Sequence, residues 1–409
     1  MWENHRYSDD RSVIQSIRRD DYDQEAEQLC DELFTSLRRR DQRDKACSYV
    51  TGLIRTPGRK SVRNIAQMFD GSGTEQSLHH FISDSSWDWR PVRRALVAHA
   101  RSNRPVRAWV VEPMVVPKTG EHSVGVASSS FGDGGRAQNV QLSFGIWAAS
   151  ESGSVPVAWW LHLPQEWLAD DERCSRALIP ADLRPATLES GVVQAFRSIL
   201  PNGADAGLPF VLDARKLDAL VVARRLASTG TQFLLRTGSG TPLVVTDPAL
   251  RGRRGTVLPA EQIARASRSM RSPVPWSDPW EDDTTVHANV VARVSVALPG
   301  PRSRSLVLDR DTAPAADLRL LCIGGARQNV APHTWLTNLA GHRLSEAMYA
   351  ASLVQRVRLE ESEIAELVGI RDYSGRTFTG WHRHATLASV AHAVVSKHLH
   401  HGRELQKAS

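Results

Sequence analysis

Two carboxylates stand in strand-like runs where they could work as a pair. Glu112 lies in "VRAWVVEPMVV", and Asp213 closes "LPFVLD". Acids brought together from separate segments can hold two divalent ions about 3.5–4 Å apart, one activating an attacking oxygen and the other stabilising the leaving oxygen of a phosphodiester. A site of that kind would take Mg²⁺ or Mn²⁺. More acids come late: Glu360, Glu361, Glu363, Glu366 and Asp372. They read either as a solvated helix face or as a source of a further ligand. The histidines His382, His384, His392, His398, His400 and His401 have no Cys or acid at zinc-ligand spacing, so zinc is not expected.

The rest of the chemistry is basic. The net charge is +6 and the isoelectric point about 9.4, which suits a nucleic-acid partner. Nearly every cation is arginine, lysine occurring only at 45, 60, 118, 216, 397 and 407. A GC-rich coding sequence would give that bias. So would phosphate and guanine recognition, because arginine binds both bidentately. The candidates for contact with double-stranded DNA are Arg63, Lys118, the loop Arg251, Arg253 and Arg254, and the basic-aromatic turn Arg376, Trp381, His382 and Arg383.

These residues need elements to place them. Residues 1–104 read as helical, with apolar residues at helical spacing in "DQEAEQLCDELFTSLRRRDQRDKACSYVTGLI" and a solvated or phosphate-facing Arg38–Arg39–Arg40 run. "SVRNIAQMF" places Ile65, Met68 and Phe69 on one face behind a Ser61 N-cap. "DGSG" turns, and "TEQSLHHFI" starts at a Thr74 N-cap and buries Leu78, Phe81 and Ile82. The 61–82 pair fits a helix-turn-helix exposing Gln76, Ser77, His79 and His80 to base edges, and equally an ordinary helical hairpin. From 106 the period changes to short β-rich runs, followed by helix 187–200, strand 208–213, helix 216–229 and strand 232–236, a mixed α/β sheet. Residues 237–335 break the regularity and read as a β-rich insertion that includes "SLVLD" (305–309). Helices return from 342 onward. The domains expected are 1–104, then 105–236 with 336–409, interrupted by 237–335.

Several classes are excluded. No apolar run reaches ~18 residues, so no membrane span is expected, and the polar start "MWENHRYSDD" predicts a cytoplasmic protein. Cys30, Cys47, Cys174 and Cys322 have neither redox nor zinc spacing, which suits a reducing compartment.

A carboxylate on one strand, a second on a later strand, an insertion and a late helix resemble the layout of ribonuclease H-like nucleases. "VVEPMVVPKTGEHSVGVASSSFGDGGRAQNVQLSFGIWAA", "VPVAWWLHLPQEWLADDERCSRALIP", "VLDARKLD" and "GIRDYSGRTFTGWHRHATL" resemble the core of insertion-sequence-701-type bacterial DDE transposases. The matching residues are Pro117, Lys118, Gly120, His122–Val126, Asn139, Gln141, Leu163, Pro164, Glu166 and Trp167. The resemblance implies a helical N-terminal DNA-binding domain, a ribonuclease H-like mixed-sheet domain interrupted by the insertion, and an acidic triad at Glu112, Asp213 and Ser374. It departs from the family at the chemistry: Glu112 replaces Asp, Pro113 replaces a second acid, "ARKLD" replaces small residues after Asp213, and Ser374 replaces the final Glu. A hydroxyl substitutes poorly for a carboxylate at divalent ions. The expectation is a DNA-binding, catalytically inactive, domesticated transposase, with transcriptional regulation as one outcome. The alternative is an active transposase with its third carboxylate shifted. A protein-interaction scaffold is the remaining class. A homodimer is compatible with each.

Overall fold

Helical spacing of apolar residues builds the N-terminal part. In α1 (Arg19–Leu33), Ala26, Leu29, Cys30 and Leu33 are buried; in α2 (Arg40–Arg55), Ala46, Tyr49, Val50 and Leu53 are. The computed structural model describes residues 19–69, 72–103, 105–131, 137–200, 207–277, 286–300, 317–324 and 333–408. The expected strand 305–309 lies outside the described residues. Then come α3 (Val62–Ala66), α4 (Ser72–Ser83) and α5 (Trp89–Asn103). Ser61 caps α3 as expected, accepting from Asn64 N at 3.1 Å. Two local expectations fail. Met68 is 43% exposed, because α3 ends at Ala66 and the following turn swings it outward. Thr74 is no N-cap: α4 begins at Ser72, and the Thr74 hydroxyl donates to Phe69 O instead.

The remaining chain is mixed α/β. Its strands are β1 (Ala108–Pro117), β2 (Val126–Ser129), β3 (Gln138–Ser150), β4 (Gly153–Leu161), β5 (Phe210–Asp213), β6 (Phe233–Thr237), β7 (Pro242–Val245), β8 (Val257–Pro259), β9 (Ser272–Ser277), β10 (Val286–Ala297), β11 (Leu318–Gly324) and β12 (His333–Thr337). The helices among them are α6 (Gln165–Leu168), α7 (Asp171–Arg176), α8 (Leu188–Ile199), α9 (Ala219–Ala227), α10 (Ala260–Ala266), α11 (Leu344–Glu360) and α12 (Phe378–Ala408). All twelve described strands join one sheet, ordered β2-β3-β1-β5-β6-β12-β11-β10-β7-β8, with β4 also on β3 and β9 also on β10. β1 runs antiparallel to β3 and parallel to β5, and β5 parallel to β6. This centre is consistent with a ribonuclease H-like core. The strands of the expected insertion do not form a sheet of their own; through β12 on β6 they extend the same one.

Adjacent tryptophans show how the sheet is covered. Trp159 Nε1 donates to Ser389 Oγ on α12 at 2.9 Å, while Trp160, pointing the other way, packs under Gly191 of α8. Helices therefore lie on both faces, which is why β1, β3 and β4 are buried along most of their length. β1 does not stop at its proline. Trp109 N donates to Pro209 O on the β5 side, so by two-residue alternation the missing N–H of Pro113 would face the carbonyl of Asp213, the last residue of β5, and the proline costs at most one bond at the strand's end.

Candidate functional site

The parallel register of β1 and β5 pairs Val111 with Leu212, so its next step sets Glu112 beside Asp213. Glu112 also lies opposite Gly145 of β3. It therefore shares the face that α11 and α12 cover. Both carboxylates are nearly closed off, their side chains 3% and 5% exposed.

Arg358, in the last turn of α11, spans the pair. Its Nε donates to Glu112 Oε2 at 3.1 Å and its Nη2 to Asp213 Oδ2 at 3.0 Å. Asp213 has two more cations. Arg215 binds it through Nε at 2.8 Å and Nη2 at 2.7 Å, and Arg236, its register partner on β6, lies 3.6 Å away. Burial pushes the Glu112 carboxyl up to about 8 against the pull of Arg358. Its Oε1 is buried without a hydrogen-bond partner. Burial also works against ionised Asp213, but its bonds to Arg215 and Arg358 outweigh that and hold it at about 2.

With this geometry in view, comparison with known families is decisive. A family model described as DDE superfamily endonuclease matches residues 32–296. The chain belongs to that DDE superfamily. Comparison with curated proteins finds no match.

DDE chemistry implies divalent ions, and the residues present do not fit them. The space between the carboxylates is crossed by Arg358, and Asp213 is shared by three guanidiniums. A divalent ion ~4 Å from one guanidinium is repelled by about 8 kcal/mol at an effective dielectric constant of ~20. Among the described residues, no group of three or more His, Cys, Asp or Glu is placed to hold a metal ion. The pair is instead the acidic half of a cluster whose cations are side chains of the same chain.

Ser374, the position the resemblance assigns to the third acid, is exposed. Its neighbour Tyr373 accepts from Lys118 Nζ at 3.1 Å, and Asp372 accepts from Lys60 N at 2.7 Å. Lys118 lies six residues beyond Glu112, roughly 20 Å of extended chain. Nor are Glu360 and Glu361 part of a solvated helix face; they are 3% and 6% exposed. Glu360 accepts from Ser154 N at 2.7 Å, from the Ser154 hydroxyl, and from Arg356 Nε at 2.7 Å. Glu361 opens a π-helical turn (Glu361–Ala365) and accepts from Arg371 Nη2 at 3.0 Å. Burial raises its pKa, with Arg371 opposing, and its charge adds to the upward push on Glu112.

Apart from Arg376, the basic-aromatic turn is inside the molecule. Trp381, His382 and Arg383 are 2%, 6% and 5% exposed, so the DNA contact expected of them is replaced by contacts within the chain. Trp381 Nε1 donates to Gln141 Oε1 at 3.1 Å. His382 stacks on Trp89, ring centroids 4.8 Å apart, and meets Arg93 Nη2 at 3.1 Å. Arg383 donates to the carbonyls of Ile82, Ser83, Ser85 and Trp87. His384 links Tyr49 OH at 2.9 Å to Gly369 O at 3.0 Å. Four successive residues thus pin α12 to β3, α5, the α4–α5 connection and α2.

Other candidates reach the surface. Arg63, Gln76, His79, His80, Arg251, Arg253, Arg254 and Arg376 are exposed; Ser77 and Lys118 are half-buried. Arg251, Arg253 and Arg254 form the turn between β7 and β8, far along the sheet from Asp213. Sequence reasoning missed Arg358, Arg236 and the Glu361–Arg371 pair. Only Arg215 left a trace, in the unusual "ARKLD" after Asp213. No helix of the described residues is long and apolar enough to cross a membrane.

Proposed function

We propose that this member of the DDE superfamily is a double-stranded-DNA-binding protein of insertion-sequence-701-type ancestry that no longer cuts DNA and acts by occupying its site, as a regulator of transcription would. The observation that supports the reading is that the acids at the site are held by guanidiniums while Ser374 is an exposed hydroxyl, not a carboxylate, on a loop tied to Lys118 and Lys60. DNA would meet the exposed face of α4 through Gln76, Ser77, His79 and His80, with Arg63 and the Arg251, Arg253 and Arg254 turn on phosphates. Base edges give discrimination; the cations give affinity that falls as salt rises.

A second reading is favoured by one observation. Glu361 is buried in a π-helical turn, a feature frequent at functional sites, and is close enough to act on Glu112. In that reading Glu361 is the shifted third acid of an active transposase. One experiment separates the two: cleavage and strand transfer on supercoiled DNA with Mg²⁺ or Mn²⁺, with duplex binding measured in EDTA. The binding protein gives salt-dependent binding and no product. Product from wild type that disappears in both Asp213→Asn and Glu361→Gln would establish the transposase. Absence of duplex binding at low salt would sink both.

A further inference from the structure

We propose that the guanidinium of Arg358 is a resident cation, standing where a divalent ion would have to bridge Glu112 and Asp213 and keeping such ions out of the cleft. The inference rests on reading this cleft as a former two-ion site, but not on how the protein uses DNA.

The geometry is that of a bridging ion. One cation touches one oxygen of each carboxylate, Glu112 Oε2 at 3.1 Å and Asp213 Oδ2 at 3.0 Å. Glu112 and Asp213 are also the residues that would hold a shared divalent ion, so the guanidinium and the ion compete for the same carboxylates. Arg358 differs from Arg215 and Arg236, which touch Asp213 alone from the β5 and β6 side. It comes from α11, whose last turn is held to the sheet independently: Glu360 bonds Ser154 of β4 and pairs with Arg356. The backbone that carries Arg358 is therefore held over the carboxylates, which keeps its guanidinium within reach of both. Arginine keeps its charge at every accessible pH, so ordinary buffering cannot clear the position either. A planar fork also meets two carboxylates with directed hydrogen bonds, which a hydrated ammonium would do less well.

Charge points the same way. Three guanidiniums against two carboxylates leave the cluster positive even with both acids ionised. Removing Arg358 would leave Arg215 and Arg236 on Asp213 but take away the one cation, among the described residues, that touches Glu112, so the cluster would lose its excess positive charge and Glu112 would face the opened space unpaired.

The test is direct ion binding by the full chain. Free and bound Mn²⁺ are separated by electron paramagnetic resonance and checked by equilibrium dialysis, after EDTA treatment. Wild type is run beside Arg358→Ala, Arg358→Gln, Arg358→Lys and the double variant Arg358→Gln with Asp213→Asn. Wild type and Arg358→Lys should bind no stoichiometric Mn²⁺. Arg358→Ala and Arg358→Gln should each bind one per chain, and the double variant none. Added methylguanidinium should compete with Mn²⁺ in Arg358→Ala. Arg358→Gln keeps the carbon chain as far as Cδ and a shorter, uncharged amide donor, so it is the variant that decides should Arg358→Ala fail to fold. Mn²⁺ bound by wild type and lost in Asp213→Asn overturns the proposal, and so does a folded Arg358→Gln that binds none. Wild type that binds Mn²⁺ yet cuts no DNA would remove this inference alone and leave the DNA-binding reading in place.

Discussion

Replacing Arg383 distinguishes a scaffold residue from a DNA contact. The residue is 5% exposed, and its guanidinium donates to Ile82 O at 3.0 Å, Ser83 O at 3.3 Å, Trp87 O at 3.1 and 3.2 Å, and Ser85 O. It also lies over the Trp87 ring at 5.4 Å. Arg383→Ala leaves four buried carbonyls without this donor, and a buried polar group left unmade costs about 1–3 kcal/mol. Neighbouring donors and water recover part of that, so the expected loss is about 3–5 kcal/mol, the size found when one partner of a buried charged contact is removed. Domains are stable by only ~5–15 kcal/mol, so the alanine variant should be marginal. Arg383→Lys keeps the charge and up to three donors and should lose about 2 kcal/mol, one or two carbonyls going unpaired. The assay is urea unfolding alongside duplex-DNA binding over a range of salt. Both variants should unfold at lower urea, while Arg383→Lys, still folded, keeps the wild-type slope of log affinity against log salt. A phosphate contact would behave in the opposite way: Arg383→Ala would stay near wild-type stability and its slope would fall by about 0.9. That result would show the buried placement to be wrong.

Three other perturbations follow from the same contacts. Burial lowers the His384 pKa to about 4, so between the unfolded value near 6.5 and 4 the unfolded chain holds the extra proton and acid removes stability; the stability difference between wild type and His384→Gln should shrink by about 1.4 kcal/mol for each pH unit below 6.5, and a constant difference in urea titrations would refute it. Gly191→Ala puts a Cβ 2.0 Å from the Trp160 ring, so α8 must lift from β4, at a cost of about 1–3 kcal/mol in thermal or urea unfolding; an unchanged midpoint would contradict that packing. Gln76→Ala with His79→Ala, on the exposed face of α4, should erode preference among duplex sequences by about 1–3 kcal/mol per base contact, while Arg251→Ala with Arg253→Ala weakens all sequences alike; competition binding in which both double variants behave the same would remove α4 as the reading element.

What the sequence determined by itself is what one element can encode. The alternation and length of "VRAWVVEPMVV" and "LPFVLD" place Glu112 and Asp213 on strands, and Ser61 caps its helix, because pleat and cap geometry are local. The quoted motifs also carried the family. What they could not reveal is which of their residues are structural. Gln141 bonds Trp381, Trp167 bonds Val126 O at 2.8 Å, and Arg383 bonds four carbonyls, so the turn that reads as a DNA surface is a clamp. A polar, aromatic string looks the same whether its partners are phosphates or carbonyls 296–301 residues away in the chain. The cleft was decided the same way. Arg358 lies 145 residues from Asp213 and 246 from Glu112, and nothing in its helix distinguishes it from its neighbours. Only folding α11 across β1 and β5 makes that arginine the charge that both acids meet. Likewise, burial is a property of what packs on a helix, so only the tertiary structure turned Glu360 and Glu361 from an acidic run into interior groups with chosen partners.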